Sequence, residues 1–489
     1  MKLSIHSPDK TIKDMNPKNV TRRSFLTVMT TGMAAAATAN IIHPLENIYP
    51  LNNMEKANTP EELKIGIFDV DATPPVGSQL TYDKMVNRYD LGLRAKGVIL
   101  TGAGAPIVLC AIDWIGISNE SQDIFKQSLA EAARTTPERV AVHTVHQHDA
   151  PICDFTAEKL LKEKNLPLGC FDGSFARLLI KNIQEAIMNA VNELQPVTDI
   201  GLGKAPVYEV ASNRRVDMVD GKIGTMRGSS CKDPILRDKP EGLIDPDVSL
   251  ISFWNNDKPL AVLSFYATHP QSYYRTGIAN PDFPGIARFL RQLALPDALH
   301  LHFNGAGGNI AAGKYNDGSR EIRLQLAEKM ADGMKRAWDN TRKYPLSAGN
   351  VKWITEPLLL PPNPGVVEIE RNMATGDGPY LANNMGRLGW YKRRMEGKAI
   401  DIGCLATNEA QIFFMPGELF VEYQLAAKAI SPDKFVAMAA YGDYGPFYIG
   451  TKEAYSEGGY EILSSPVTED AEAAILKVIR NINDNLQKK

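Results

Sequence analysis

Hydrophobic positions along the chain switch between two periods. From Lys64 the runs Lys64–Val70, Ala95–Thr101 and Pro106–Asp113 are β-branched and bounded by Gly and Pro, which predicts strands. Asn119–Arg134 then turns helical, with Ile124, Phe125, Leu129 and Ala132 on one side. Arg139–Thr144 reads as a strand and Ser174–Leu194 as the clearest helix, its Leu179, Ile183, Ile187, Ala190 and Leu194 within one inward stripe. Strands follow at Val248–Trp254, Leu260–Tyr266 and Leu299–Phe303, then a helix over Arg320–Asp339. The last third holds strands near Val351, at Ala410–Met415 and at Phe435–Ala440, with a closing helix from about Glu469 to Leu486. Strands interleaved with long helices predict an α/β fold, a large mixed β-sheet core flanked by helices. No internal repeat is visible. Glu356–Gly365 reads as a Pro-rich surface loop, and one domain is expected from Lys64 to Lys489.

The first 39 residues follow a different logic. Thr21-Arg22-Arg23-Ser24-Phe25-Leu26 resembles a twin-arginine export motif ahead of a mild apolar stretch, Leu26–Ala39. That stretch is too short for a bilayer core of about 30 Å, and it ends at Ala37-Thr38-Ala39, a small-x-small cleavage pattern. Residues 1–39 are expected to be a signal peptide, 40–63 a linker or arm, and the mature chain periplasmic or secreted, without a transmembrane segment.

Composition narrows the class. The 489 residues are 44% apolar and 23% charged, which excludes disordered and coiled-coil chains. A net charge of −3 gives no basic excess to meet nucleic acid. Five cysteines without a Cys-x-x-Cys pair exclude a disulfide scaffold and a thiolate zinc finger, although in an oxidising compartment some of them can pair. The expected partner is a small-molecule or lipid-like substrate, and the oligomeric state is not legible.

Six of the eight histidines lie beyond the arm: His143, His146, His148, His269, His300 and His302. Residues i and i+2 of an extended chain share a face about 6–7 Å apart, so one imidazole of a His-x-His pair can bind a metal while the other works beside it as acid or base. Val145-His146-Gln147-His148-Asp149-Ala150-Pro151 begins where a strand ends, which is where α/β sheets place ligand-binding groups. His300 and His302 lie inside a strand and fit packing between sheet and helix, yet remain a rival pair. Gly308–Lys314 nearly spells a phosphate loop, but Tyr315 stands where Ser or Thr would ligate Mg²⁺.

Eight motifs in order resemble the neutral/alkaline, non-lysosomal ceramidase family, its N-terminal catalytic domain. They are Ile65–Gly77, Leu93–Gly97, Val145–Pro151, Tyr266–Pro270, Asp282–Gly285, Asn304–Asn309, Pro416-Gly417-Glu418, and Phe447–Thr451 running on to Gly458–Glu461. The resemblance implies a zinc ion held by His146, His269, Glu418 and Tyr448, with His148 as acid/base and Tyr460 and Arg214 in the site. It implies that zinc-activated water attacks an amide carbonyl of an N-acyl, ceramide-like substrate, that His148 returns a proton to the leaving amine, and that Arg214 or Tyr460 stabilises the oxyanion. Taken singly, Glu418 fits the start of a helix, Tyr448 and Tyr460 fit packing, and Arg214 fits a salt bridge.

Three departures bear on the substrate. Val-His-Gln-His-Asp replaces the family's Thr-His-Thr-His-Ser, so Asp149 is expected beside His148, raising its pKa or orienting it. Asn304 and Gly305 stand where true ceramidases carry a serine, and no C-terminal β-sandwich domain is expected. Two alternatives therefore stay open: a zinc hydrolase of the same fold acting on another amide, ester or glycan-derived substrate, and a non-catalytic exported binding protein.

Overall fold

The β-branched runs form strands, and in the computed structural model, which describes residues 62–88, 90–368 and 378–488, they sort into three principal sheets. Residues 1–39, expected to be a signal peptide, and nearly all of the expected arm lie outside the described residues. The expected mixed α/β architecture is present, each sheet combining antiparallel neighbours with one parallel pair and carrying helices.

All three sheets are laid down by the same chain path. In the first, Lys64–Asp71, Arg94–Gly102 and Gly104–Ile112 pair antiparallel in turn, the helix Glu120–Ala133 crosses over, and Val140–Thr144 returns parallel to the third strand. The second repeats this with Asp199–Pro206, Asp247–Asn255 and Lys258–Tyr266, the helix Asp282–Ala294, and Leu299–Asn304. The third uses Lys352–Leu358, Ile400–Ala406 and Ala410–Phe414, the helix Val421–Ile430, and Phe435–Ala439. A further helix follows the fourth strand in each: Ser174–Asn192, Ile322–Asp339 and Ala471–Gln487. Among the described residues one strand–strand–strand–helix–strand–helix path thus recurs three times. No repeat is visible in the sequence, and the threefold path is seen only in the course of the backbone. Buried strands need only apolar side chains, so three modules can share a path without sharing residues.

Packing follows from this path. The inner faces of all three sheets share one buried cluster, with Leu109 and Ala111 from the first, Leu263 and Phe303 from the second, and Ile412 and Ala437 from the third. Each outer face is covered by its own two long helices. In the first module Phe125 and Leu129 meet Ile183 and Ile187, in the second Phe283 and Ala287 meet Leu326 and Met330, and in the third Tyr423 and Ala427 meet Ile475 and Ile479. Burial on both faces is why strands such as Gly104–Ile112 and Phe435–Ala439 read as continuous apolar runs.

The three parallel fourth strands converge at their carboxyl ends. Thr144 N donates to Tyr441 O (2.9 Å), Ala440 N donates to Asn304 O (2.9 Å), and Asn304 Nδ2 donates to Val145 O (3.3 Å). This closed ring of hydrogen bonds links all three modules at one point, and the candidate site sits there.

Other expectations need adjustment. Glu356, Pro357 and Leu358 belong to an edge strand, where a proline is tolerated, so the Pro-rich loop is shorter than expected. The helix Asp282–Ala294 was hidden because Pro284 and Gly285 read as punctuation, although a proline is harmless in a first turn. The helices Phe155–Glu163 and Gly378–Met395 and the strands Asp199–Pro206 and Ile400–Ala406 were also unforeseen. All five cysteines are free thiols, four of them buried. Among the described residues no helix is long and apolar enough to cross a membrane.

Candidate metal centre

The segments that follow the third and fourth strands carry the site. Two residues beyond Thr144 the chain turns at His146, whose φ of 74° is a left-handed conformation that costs a β-carbon-bearing residue free energy. The same turn recurs two residues beyond the fourth strand of the third module, at Tyr441 (φ 61°). The two rings stack at 4.5 Å. The turn at His146 is held by His146 N donating to Trp114 O and by Gln147 Nε2 donating to the buried carboxylate of Asp113. Arg288 clamps that carboxylate through both Nη atoms, at 2.7 and 2.6 Å.

His269 stands three residues beyond the third strand of the second module, and Glu418 four residues beyond that of the third. A two-residue parallel bridge pairs Glu418 with Tyr448, which couples the Pro-Gly-Glu and Phe-Tyr-Ile motifs. Each module therefore contributes one of His146, His269 and Glu418.

Both histidines face the same way chemically. His146 Nδ1 lies 2.7 Å from Ile115 O and His269 Nδ1 lies 2.8 Å from Gly307 O. A carbonyl only accepts, so both Nδ1 atoms carry hydrogen and both Nε2 lone pairs are directed elsewhere, the arrangement that supports metal-ligating imidazoles. They converge on Glu418 Oε2, at 3.4 Å from His146 Nε2 and 3.0 Å from His269 Nε2. His146 Nε2 and Glu418 Oε2 are buried without a hydrogen-bond partner. Two lone pairs facing a carboxylate oxygen in a dry site call for a cation between them. Tyr448 Oη lies 3.4 Å from His269 Nε2, and Tyr444 Oη donates to the other Glu418 oxygen at 2.7 Å. The residues present therefore fit a metal of the zinc type, with nitrogen and oxygen donors.

His148 joins the group. Ligand atoms of His146, His148 and His269 all lie within 4.8 Å of one another, so this buried cluster is able to hold a metal ion. Its Nδ1 has no hydrogen-bond partner. Tyr82 stacks parallel to its ring at 5.8 Å and Tyr274 meets it edge-on at 5.5 Å, two neighbours the sequence reading missed. Burial, reinforced by His146 and His269, holds His148 well below the usual histidine range, and burial also lowers His269. For Glu418 burial pushes upward, but the two histidines outweigh it and hold the carboxyl well below its ordinary value. Tyr448 is raised well above 10 by burial and by Glu418.

Arg214 lies against the same group, with Nη1 donating to Tyr448 Oη (3.3 Å) and Nε 3.7 Å from the fully buried Glu461. Tyr460 is 55% exposed, with its ring 5.7 Å from that of Tyr448 and beneath the Arg214 guanidinium. The structure thus brings together all seven residues singled out from sequence. His300 and His302 are elsewhere: His302 Nδ1 pairs with Ser264 Oγ and His300 lines a small gap beside Trp338, on the helix side of the second sheet. Asp149 also departs from expectation, its carboxylate accepting from Thr276 Oγ1 and Arg323 rather than touching His148. Lys314 of the near-phosphate loop spends its ammonium on the carbonyls of Arg237 and Lys239.

The group forms the floor of a cleft of about 1000 Å³, walled by Tyr82, Phe171, Tyr274, Phe447 and Leu463 among others. No protein-family model matches the sequence, and no curated protein matches it. Solved structures that share the fold include two ceramidases. One is the neutral ceramidase from Pseudomonas aeruginosa, 16% identical, with 88% of this chain and 76% of that chain covered and a TM-score of 0.62. The other, a ceramidase complexed with C2, is 15% identical over 87% and 76% of the two chains, with a TM-score of 0.61. The three-sheet architecture described above is the fold of the ceramidase catalytic domain.

Proposed function

We propose that this chain is a zinc-dependent hydrolase of the neutral ceramidase type, cleaving an N-acyl amide. The observation that carries the reading is the convergence of two Nε2 lone pairs on Glu418 Oε2 in a buried pocket at the floor of an open cleft. His146, His269, Glu418 and Tyr448 would hold the metal. When bound, zinc supplies a Lewis acid that acidifies water and polarises a carbonyl.

The remaining work falls to the chain's own groups. His148, neutral at pH 7 because of its burial, would accept a proton from the attacking water and hand it to the leaving nitrogen. Tyr82 and Tyr274 hold its ring in place. Arg214, kept cationic beside Glu461 and Tyr448, offers charge to the oxyanion that develops, and Tyr460 closes the same side. We infer also that residues 1–39 direct export by the twin-arginine route.

Elemental analysis of the wild-type protein and of His269→Ala tests the centre. About one zinc per chain in the wild type, lost in the variant, is expected. No zinc after reconstitution would leave a binding protein of this fold. Release of fatty acid from a short-chain N-acylsphingosine then tests the ceramide-like substrate against another amide or ester.

A further inference from the structure

The cleft has a charge that the chain as a whole does not. Its lining contains one carboxylate, Glu418, and three cations, Arg214, Lys232 and Arg387, in a chain of net charge −3. Glu418 is committed to His146, His269 and Tyr444, and Arg214 to Glu461 and Tyr448. Among the described residues, no carboxylate lies within ion-pair distance of Lys232 or Arg387. Arg275 adds a cation near His148, its guanidinium 5.6 Å from the ring of Tyr82 and 5.5 Å from that of Tyr274. A cleft lined by one sign of charge concentrates ligands of the other.

Arg387 is the fixed member of this set. It sits on the helix Gly378–Met395, where Nη1 donates to Asn384 Oδ1 at 3.2 Å and the guanidinium carbon lies 5.2 Å from the centre of the Phe447 ring. Its Nε is buried and has no acceptor among the described residues. A solvated surface arginine does not bury an unspent donor, because leaving one unsatisfied is costly. With Nη1 engaged, Nε and Nη2 remain as the planar pair that receives a carboxylate side-on.

We propose that Arg387 binds the carboxylate of an anionic acyl compound, so that the cleft takes N-acyl amino acids in preference to neutral N-acyl amino alcohols. Lys232 and Arg275 draw the anion in, and Ile152, Phe171 and Phe447 offer apolar surface to the acyl chain. This rests on the hydrolase reading above and specifies its substrate.

Calorimetric titration with N-hexanoylglycine and N-hexanoylethanolamine compares the same acyl chain with and without a carboxylate, on the full wild-type chain and on Arg387→Gln. The glycine conjugate is expected to bind the wild type about tenfold tighter or more, and the preference to fall below about twofold in Arg387→Gln. Arg387→Lys, which keeps the charge and loses the fork, is expected to fall between. Equal affinities in the wild type, or a preference that survives in Arg387→Gln, would overturn the proposal. Both ligands are read on one preparation, so a partly misfolded variant does not imitate the result. Carboxylate-dependent binding with no turnover of either compound by the zinc-loaded protein keeps this site and removes the hydrolase reading. Turnover of the neutral amide without carboxylate preference does the reverse.

Discussion

The segments that leave the fourth strands of the first and second modules start from the same point in the fold and do opposite work. Val145–Asp149 carries side-chain chemistry, with His146 and His148 projecting into the centre. Gly305–Asn309, its counterpart, contributes backbone: Gly307 O orients His269, and Gly308 N donates to Leu419 O beside Glu418. A β-carbon on Gly308 would press into the Glu418 carbonyl oxygen, well inside van der Waals contact. The first segment brings candidate ligands, and its counterpart brings the backbone surface against which His269 and Glu418 are seated. The site is therefore not a motif on a scaffold. It is a division of labour among three copies of one path.

The strongest test of that division removes side chains from the first kind of segment and its partners. His146→Ala and Glu418→Gln should each abolish metal retention and lower hydrolysis by about 10³-fold or more, read by elemental analysis and by amide turnover. His148→Ala should separate the roles within a single segment: kcat falls by about 10²–10⁴-fold while the metal stays. Metal lost from His148→Ala would make that residue a third histidine ligand instead.

A milder effect is expected from the groups that only orient. Tyr444→Phe removes the hydrogen bond to Glu418 and should weaken metal affinity by about 10–100-fold, measured by competition with a chelator. Gly308→Ala should cost about 1–3 kcal/mol in denaturant unfolding and reduce metal occupancy, although position 308 itself has no side chain in the centre. If Gly308→Ala binds metal normally, the backbone segment is a bystander.

The smallest effect concerns a junction between the first and third modules. Asn119 N donates to Asp443, and Asn119 Nδ2 donates to Asp154. Burial raises Asp154 to about 8 and Asp443 to about 6. Both folded-state values lie above the ordinary carboxylate range, so the stabilisation is complete below about pH 4 and is lost as pH rises toward 8. Between pH 5 and pH 9 the Tm of the wild type should fall about 2–4 °C further than that of Asp154→Asn. Parallel pH profiles would show that this junction is not titrating.

Much of this was legible in the chain. The strand Gly104–Ile112 announces itself because its second half is buried on both faces, and Ser174–Asn192 does so because only one stripe is. The candidate residues were legible through ordered short motifs, since a turn like Pro-Gly-Glu and a bridge like Tyr448-Ile449 constrain local sequence. The neighbours of His148 were not. Tyr82 and Tyr274 lie in irregular segments with no period, and only tertiary packing brings them to the ring. Asp149 misled for a related reason: adjacency in sequence put it beside His148, whereas the turn sends its carboxylate to Arg323. The threefold path was invisible because apolar strands record burial, not ancestry.

The ring of hydrogen bonds among Thr144, Tyr441, Ala440 and Asn304 has a temporal meaning. It closes only when the last module has docked, and Glu418 and Tyr448 arrive with that module. The first two modules are synthesised before the residues that complete the centre, but their inner faces are fully buried only against the third. A chain cut short between the second and third modules would hold His146 and His269 and no carboxylate between them. Any metal uptake at this centre would thus report that all three modules have docked.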